Sequence, residues 1–125
     1  MNRYTFLYIL LLISIGLNGC SGSNENDWAG IYTGTIPAAD GHGINVHITL
    51  NSDYSYTLIY DYIGKESIYK EVGVFDRYKP KNYIILQNSL FPRFYKIKEG
   101  NILQLDMEGN EIAGEFADMY VLVKK

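Results

Sequence analysis

The sequence predicts an all-β protein, a small antiparallel β-barrel, and three observations carry that prediction. From Trp28 onward apolar residues alternate with polar ones, the period of a strand with one face in a core. Clusters of Gly, Pro, Asn, Asp and Ser punctuate the alternation at short intervals. No stretch holds a 3.6-residue period over three turns, so little helix is expected in the folded part.

The folded part is expected over residues 28–125, with a first strand ahead of the loop that holds Ala38 and Gly41. Ile44, Val46, Ile48 and Leu50 then point one way and Asn45, His47 and Thr49 the other, giving a strand over 44–50. Asn51, Ser52 and Asp53 turn the chain into a partner strand over 56–62, with Tyr56, Leu58, Tyr60 and Tyr62 on its core face. Further strands are predicted over 68–75, 83–87, 94–97, 102–107 and 119–124, separated by turn-forming residues such as Pro80, Gly100 and Gly109. Seven or eight short strands in one small domain favour closure, because a closed barrel leaves no exposed edge.

Ten of the twelve tyrosines lie beyond residue 19, many at alternating strand positions. Their rings are expected to fill the core while each hydroxyl finds a partner. The alternative is a hollow interior, a cavity for a small hydrophobic ligand bounded by Tyr56, Tyr60, Phe75, Tyr95 and Tyr120.

Residues 1–19 read as a secretory signal: Arg3 supplies a positive start, and the run from Tyr4 to Leu17 is apolar but too short for a confident membrane span. Leu17, Asn18 and Gly19 before the single cysteine, Cys20, resemble the bacterial lipobox. That resemblance implies cleavage before Cys20 and a covalent lipid, palmitate among its acyl chains, on its thiol. Several acyl chains hold a protein stably on a bilayer. The competing readings are a plain signal peptide and an uncleaved anchor, each leaving a free thiol in an oxidising compartment. Residues 20–27 are small and polar after the cysteine, the composition of a flexible tether. Ser21 rather than Asp follows Cys20, which under the enteric sorting rule points to the outer membrane of the cell envelope.

Without Arg3 the chain carries ten basic against fourteen acidic residues, scattered singly, which argues against nucleic acid as a partner. The membrane, through the anchor, and other envelope proteins are the expected partners; the sequence leaves the oligomeric state open. Enzymatic signals are sparse. There is no Gly-x-Ser-x-Gly motif and no phosphate loop, and the carboxylates are expected singly at strand ends and turns, so no catalytic residues are expected.

From Trp28-Ala29-Gly30-Ile31-Tyr32-Thr33-Gly34 through Leu50-Asn51-Ser52-Asp53, Tyr62-Ile63-Gly64-Lys65, Leu103, Leu105, Gly109, Gly114 and the closing Tyr120-Val121-Leu122, the chain resembles the NlpE N-terminal domain family. The resemblance implies a lipocalin-like barrel and an outer-membrane lipoprotein of envelope stress sensing, copper resistance or copper homeostasis, acting through protein interactions. The enterobacterial member carries a second domain with its own cysteine pair, whose function is expected to be absent here.

One departure concerns metal. The family pattern has Cys-x-x-Cys in the loop after the first strand, soft thiolates suited to Cu(I), where this chain has Ala38 and Gly41. What remains is Asp40 and His42, with His47 on the next strand, a carboxylate and two imidazoles that could hold Cu(II) or Zn(II) weakly. The simpler reading is a turn built by Gly41 and Gly43 with solvated histidines. Met107 and Met119, the other soft donors, sit in apolar patterns and are expected in the core. No cofactor is expected beyond the lipid on Cys20, and copper is the one metal the resemblance raises.

Overall fold

The computed structural model describes residues 27–39, 41–87 and 92–125. Eight strands run in sequence order around one closed antiparallel barrel: β1 (Gly30–Ile36), β2 (Ile44–Leu50), β3 (Ser55–Tyr62), β4 (Ser67–Tyr78), β5 (Tyr83–Leu86), β6 (Arg93–Lys98), β7 (Asn101–Gln104) and β8 (Val121–Lys124). The described helical structure is two 3-10 turns, Lys79–Lys81 and Ala117–Tyr120, and no described helix is long and apolar enough to cross a membrane.

The β2–β3 hairpin follows the alternation of its sequence. Ile48 pairs with Leu58 and Leu50 with Tyr56, all four fully buried, while His47 pairs with Ile59 on the outer face. Its turn is held by Asp53, whose carboxylate accepts hydrogen bonds from the Ser55 backbone and hydroxyl. Tyr54 there has φ +70°, a conformation bulky residues rarely adopt. Packing holds it: the Tyr54 ring lies 5.4 Å from both Trp28 and Phe75, and those two meet edge to face at 5.3 Å. This aromatic trio seals one end of the barrel, with the Tyr32 hydroxyl donating to the Trp28 carbonyl at 2.6 Å.

The opposite end is the open rim, formed by the ends of β1, β3, β5 and β7 and the starts of β2, β4, β6 and β8. Two elements here differ from their expected bounds. β7 stops at Gln104, with Leu105 in an isolated bridge to Glu111, because the Asp106 carboxylate accepts from the Glu108 and Asn110 amides and turns the chain. Met119 and Tyr120 belong to the second 3-10 turn, so β8 starts at Val121. Met107 and Met119 are therefore on the surface, 69% and 42% exposed, rather than in the core.

Truncating Ile48 to Ala should cost about 2 to 5 kcal/mol, as large-to-small core changes do, whereas His47→Ala should be nearly neutral. Urea unfolding followed by the fluorescence of Trp28, the single tryptophan, measures both. A reversed order would mean the strand register is one residue out.

Candidate functional site: the polar rim of the barrel

Strand parity sends Tyr60 from β3, Tyr69 and Glu71 from β4, Arg93 and Tyr95 from β6 and Gln104 from β7 toward the interior at the rim. Glu71, 6% exposed, is the one buried charged residue among those described. Its carboxylate accepts from the Tyr56 hydroxyl at 2.6 Å, the Tyr69 hydroxyl at 2.7 Å and Arg93 Nη1 at 3.1 Å to each oxygen. The guanidinium lies 5.3 Å from the Tyr60 ring centroid and 5.9 Å from that of Tyr69.

Burial, the largest single influence on Glu71, pushes its carboxyl up, but the Tyr56 and Tyr69 hydroxyls and the Arg93 charge together hold it below the ordinary glutamate range. Burial also raises the phenols of Tyr60 and, far more, Tyr95. The Tyr60 and Tyr95 hydroxyls interact with each other, and beside this network Gln104 Oε1 is buried with no hydrogen-bond partner among the described residues. A cleft of about 250 Å³ opens at the rim, lined by Tyr60, Arg93, Phe94, Gln104, Asp106 and Met107 with Pro92 and Leu105.

Of the five aromatic residues expected around an interior cavity, Tyr56, Tyr60, Phe75 and Tyr95 point inward and are buried, and Tyr120 packs partly buried against the core. They are divided between two ends: Phe75 joins the sealed end, Tyr56 serves Glu71, and Tyr60 alone of the five lines the rim cleft. His42 sits at the rim against Gly64 of the β3–β4 turn. His47 lies in a groove on the outer face with Thr33, Ile59, Asp61 and Ile68, its Nε2 buried without a hydrogen-bond partner among the described residues. Four residues of extended chain, roughly 13 Å, separate Gly43 from His47, so the two imidazoles are not brought together. Among the described residues no group of three His, Cys, Asp or Glu forms a metal-binding cluster. Asp40 and Cys20 lie outside the described residues.

The expectation that carboxylates fall singly at strand ends and turns fails at Glu71, which sits mid-strand and faces inward. The available signal was parity: Glu71 shares its face with Tyr69 and Phe75, and Arg93 shares its face with Tyr95 and Ile97.

A closed barrel of eight strands in sequence order defines the up-and-down class that includes the lipocalins. The model of the NlpE N-terminal domain matches residues 32–115, and the chain belongs to that family. No curated protein sequence matches it. Among solved structures, a candidate lipoprotein of Shewanella oneidensis is 38% identical with a TM-score of 0.72, the match covering 83% of this chain and 96% of that one. The Cpx pathway activator NlpE of Escherichia coli is 25% identical with a TM-score of 0.59, the match covering 70% of this chain and 47% of that one.

Glu71 is more acidic in the folded chain than unfolded, so its carboxylate contributes stability above the ordinary glutamate pKa of about 4.3 and that contribution is lost as pH falls through the lower folded value. Unfolding measured from neutral pH downward should show this acid-side loss, and Glu71→Gln should flatten it. Arg93→Met should cost about 2 to 4 kcal/mol, less than orphaning a fully buried charge because the Arg93 side chain keeps 28% of its exposure. A cost no greater than that of a surface substitution would contradict the network.

Gly41 donates its N–H to the Ala38 carbonyl in a turn with φ +85°, so the positions of the family's thiol pair are occupied by backbone geometry alone. The soluble domain lacking Cys20 should fail to take Cu(I) from a competing chelator. Stoichiometric capture that survives His42→Ala and His47→Ala would contradict this and direct attention to the methionines.

Proposed function

We propose that this NlpE-like envelope lipoprotein acts in envelope stress sensing through protein contacts made by the outside of its barrel, with the lipid on Cys20 holding it at the outer membrane. The observation that carries the reading is where apolar surface remains. The interior is occupied by the chain's own side chains, with Tyr32, Tyr56 and Tyr95 among the largest fully buried, whereas the outer face of β4 exposes Ile68, Val72 and Val74. Those residues pair with Asp61, Thr57 and Ser55 of β3, giving a face of β-branched and hydroxyl side chains with Asp61 and Lys70 as its charges. Apolar surface gathered on one exposed face is a mark of protein contact.

The structural relative from Escherichia coli is described as an activator of the Cpx pathway, and the proposal carries that kind of role to this chain. A role in copper homeostasis would here run through signalling, since Ala38 and Gly41 offer no thiolate.

Overproduction of the full chain in a bacterium carrying an envelope-stress reporter tests the reading. Wild type should partition with membranes and induce the reporter, and Cys20→Ser should lose membrane partitioning. The double variant Val72→Lys/Val74→Lys should stay folded and membrane-bound but lose most of the induction. Failure of wild type to induce, or full induction by the double variant, would contradict the proposal.

A further inference from the structure

We propose that the rim cleft is a binding site for a small zwitterion with an apolar side chain, a free α-amino acid or a dipeptide. This inference is independent of the signalling role. Four features of the cleft carry it.

Gln104 brings a buried amide oxygen that accepts no hydrogen bond among the described residues. An apolar residue would occupy that position at lower cost, so the unpaired acceptor calls for an N–H donor from outside the fold. Arg93 donates to Glu71 through Nη1, and its guanidinium lines the cleft. Its guanidinium is already fixed by Glu71 and the faces of Tyr60 and Tyr69, so a carboxylate would meet a preorganised fork.

Asp106 supplies the opposite charge. Its Oδ1 accepts from the Glu108 and Asn110 amides, which fixes the carboxylate, while Oδ2 takes no hydrogen bond among the described residues. Phe94, Leu105 and the exposed Met107 give the cleft its apolar wall. Glu71, compensated by Arg93 and two tyrosine hydroxyls, lies outside the lining set, so the charges presented are one guanidinium and one carboxylate. That pairing favours a zwitterion over a simple anion or cation. A volume near 250 Å³ is below the range of roughly 300–1,000 Å³ usual for drug-sized ligands, which limits the occupant to a few residues' worth of atoms.

Calorimetric titration of the full chain in detergent micelles with L-leucine and with leucyl-alanine tests the site. At least one should bind saturably at one per chain. For a probe that binds, N-acetylation and C-amidation, which remove its two charges in turn, should each weaken binding about tenfold or more. Gln104→Met should lower affinity at least tenfold while raising the melting temperature, because it removes an unpaired buried acceptor. The proposal is overturned by the absence of saturable binding to both probes at millimolar concentration, by capped analogues that bind as well as the parent, by affinity unchanged in Gln104→Met, or by a fall in that variant's melting temperature.

Discussion

Closure of the sheet is the constraint on which the rest of this structure depends. Seven of the junctions around the barrel join strands consecutive in sequence, but the last must join β1 to β8 across almost the whole chain. That seam is short: Tyr32 faces Lys124, Thr33 faces Val123, and the Lys125 amide donates to the Ile31 carbonyl at 2.9 Å. Gly34 lets it form, since a Cβ there would fall 2.8 Å from Leu122 Cδ2 and 2.9 Å from the Val121 carbonyl oxygen. With both edges consumed, inward and outward positions are fixed on every strand, and the division between core and surface follows.

The two ends of the barrel solve different problems. Trp28, Tyr54 and Phe75 seal one with rings, and the packing they provide outweighs the backbone strain at Tyr54. The other end holds the polar residues that parity forces inward. There Glu71 and Arg93 connect β4 to β6 across the intervening β5. A buried ion pair adds little net stability over an apolar pair of the same size. Its structural effect is to tie two strands that do not hydrogen-bond to each other, and it leaves a guanidinium at the mouth of the rim cleft.

Much of this architecture was legible in the sequence wherever one face was unambiguously apolar. β2 and β3 show clean alternation, and their register follows from Ile48, Leu50, Tyr56 and Leu58. β4 is harder, because both of its faces look like core: Ile68, Val72 and Val74 on one, Tyr69 and Phe75 on the other. The barrel buries the aromatic face and turns the β-branched one outward, a choice made by neighbouring strands rather than by local pattern. Met107 and Met119 were misplaced for a similar reason, since the turn built on Asp106 and the 3-10 turn ahead of β8 interrupt apolar runs that read as continuous strands. The Glu71–Arg93 pair and the rim cleft needed the closed barrel to become visible, because their residues are contributed by separate strands. The family likeness was legible in the ordered Gly, Tyr and Leu positions, while Cys20 and Asp40 lie outside the described residues.

Amide hydrogen exchange across the β1–β8 seam tests closure most directly. In a closed barrel the Lys125 amide and the paired amides of Thr33 and Val123 should share the strong protection of Ile48 and Leu58, exchanging through global unfolding. Rapid exchange along β8 with protection retained in β2 and β3 would instead describe an open sheet and contradict the account.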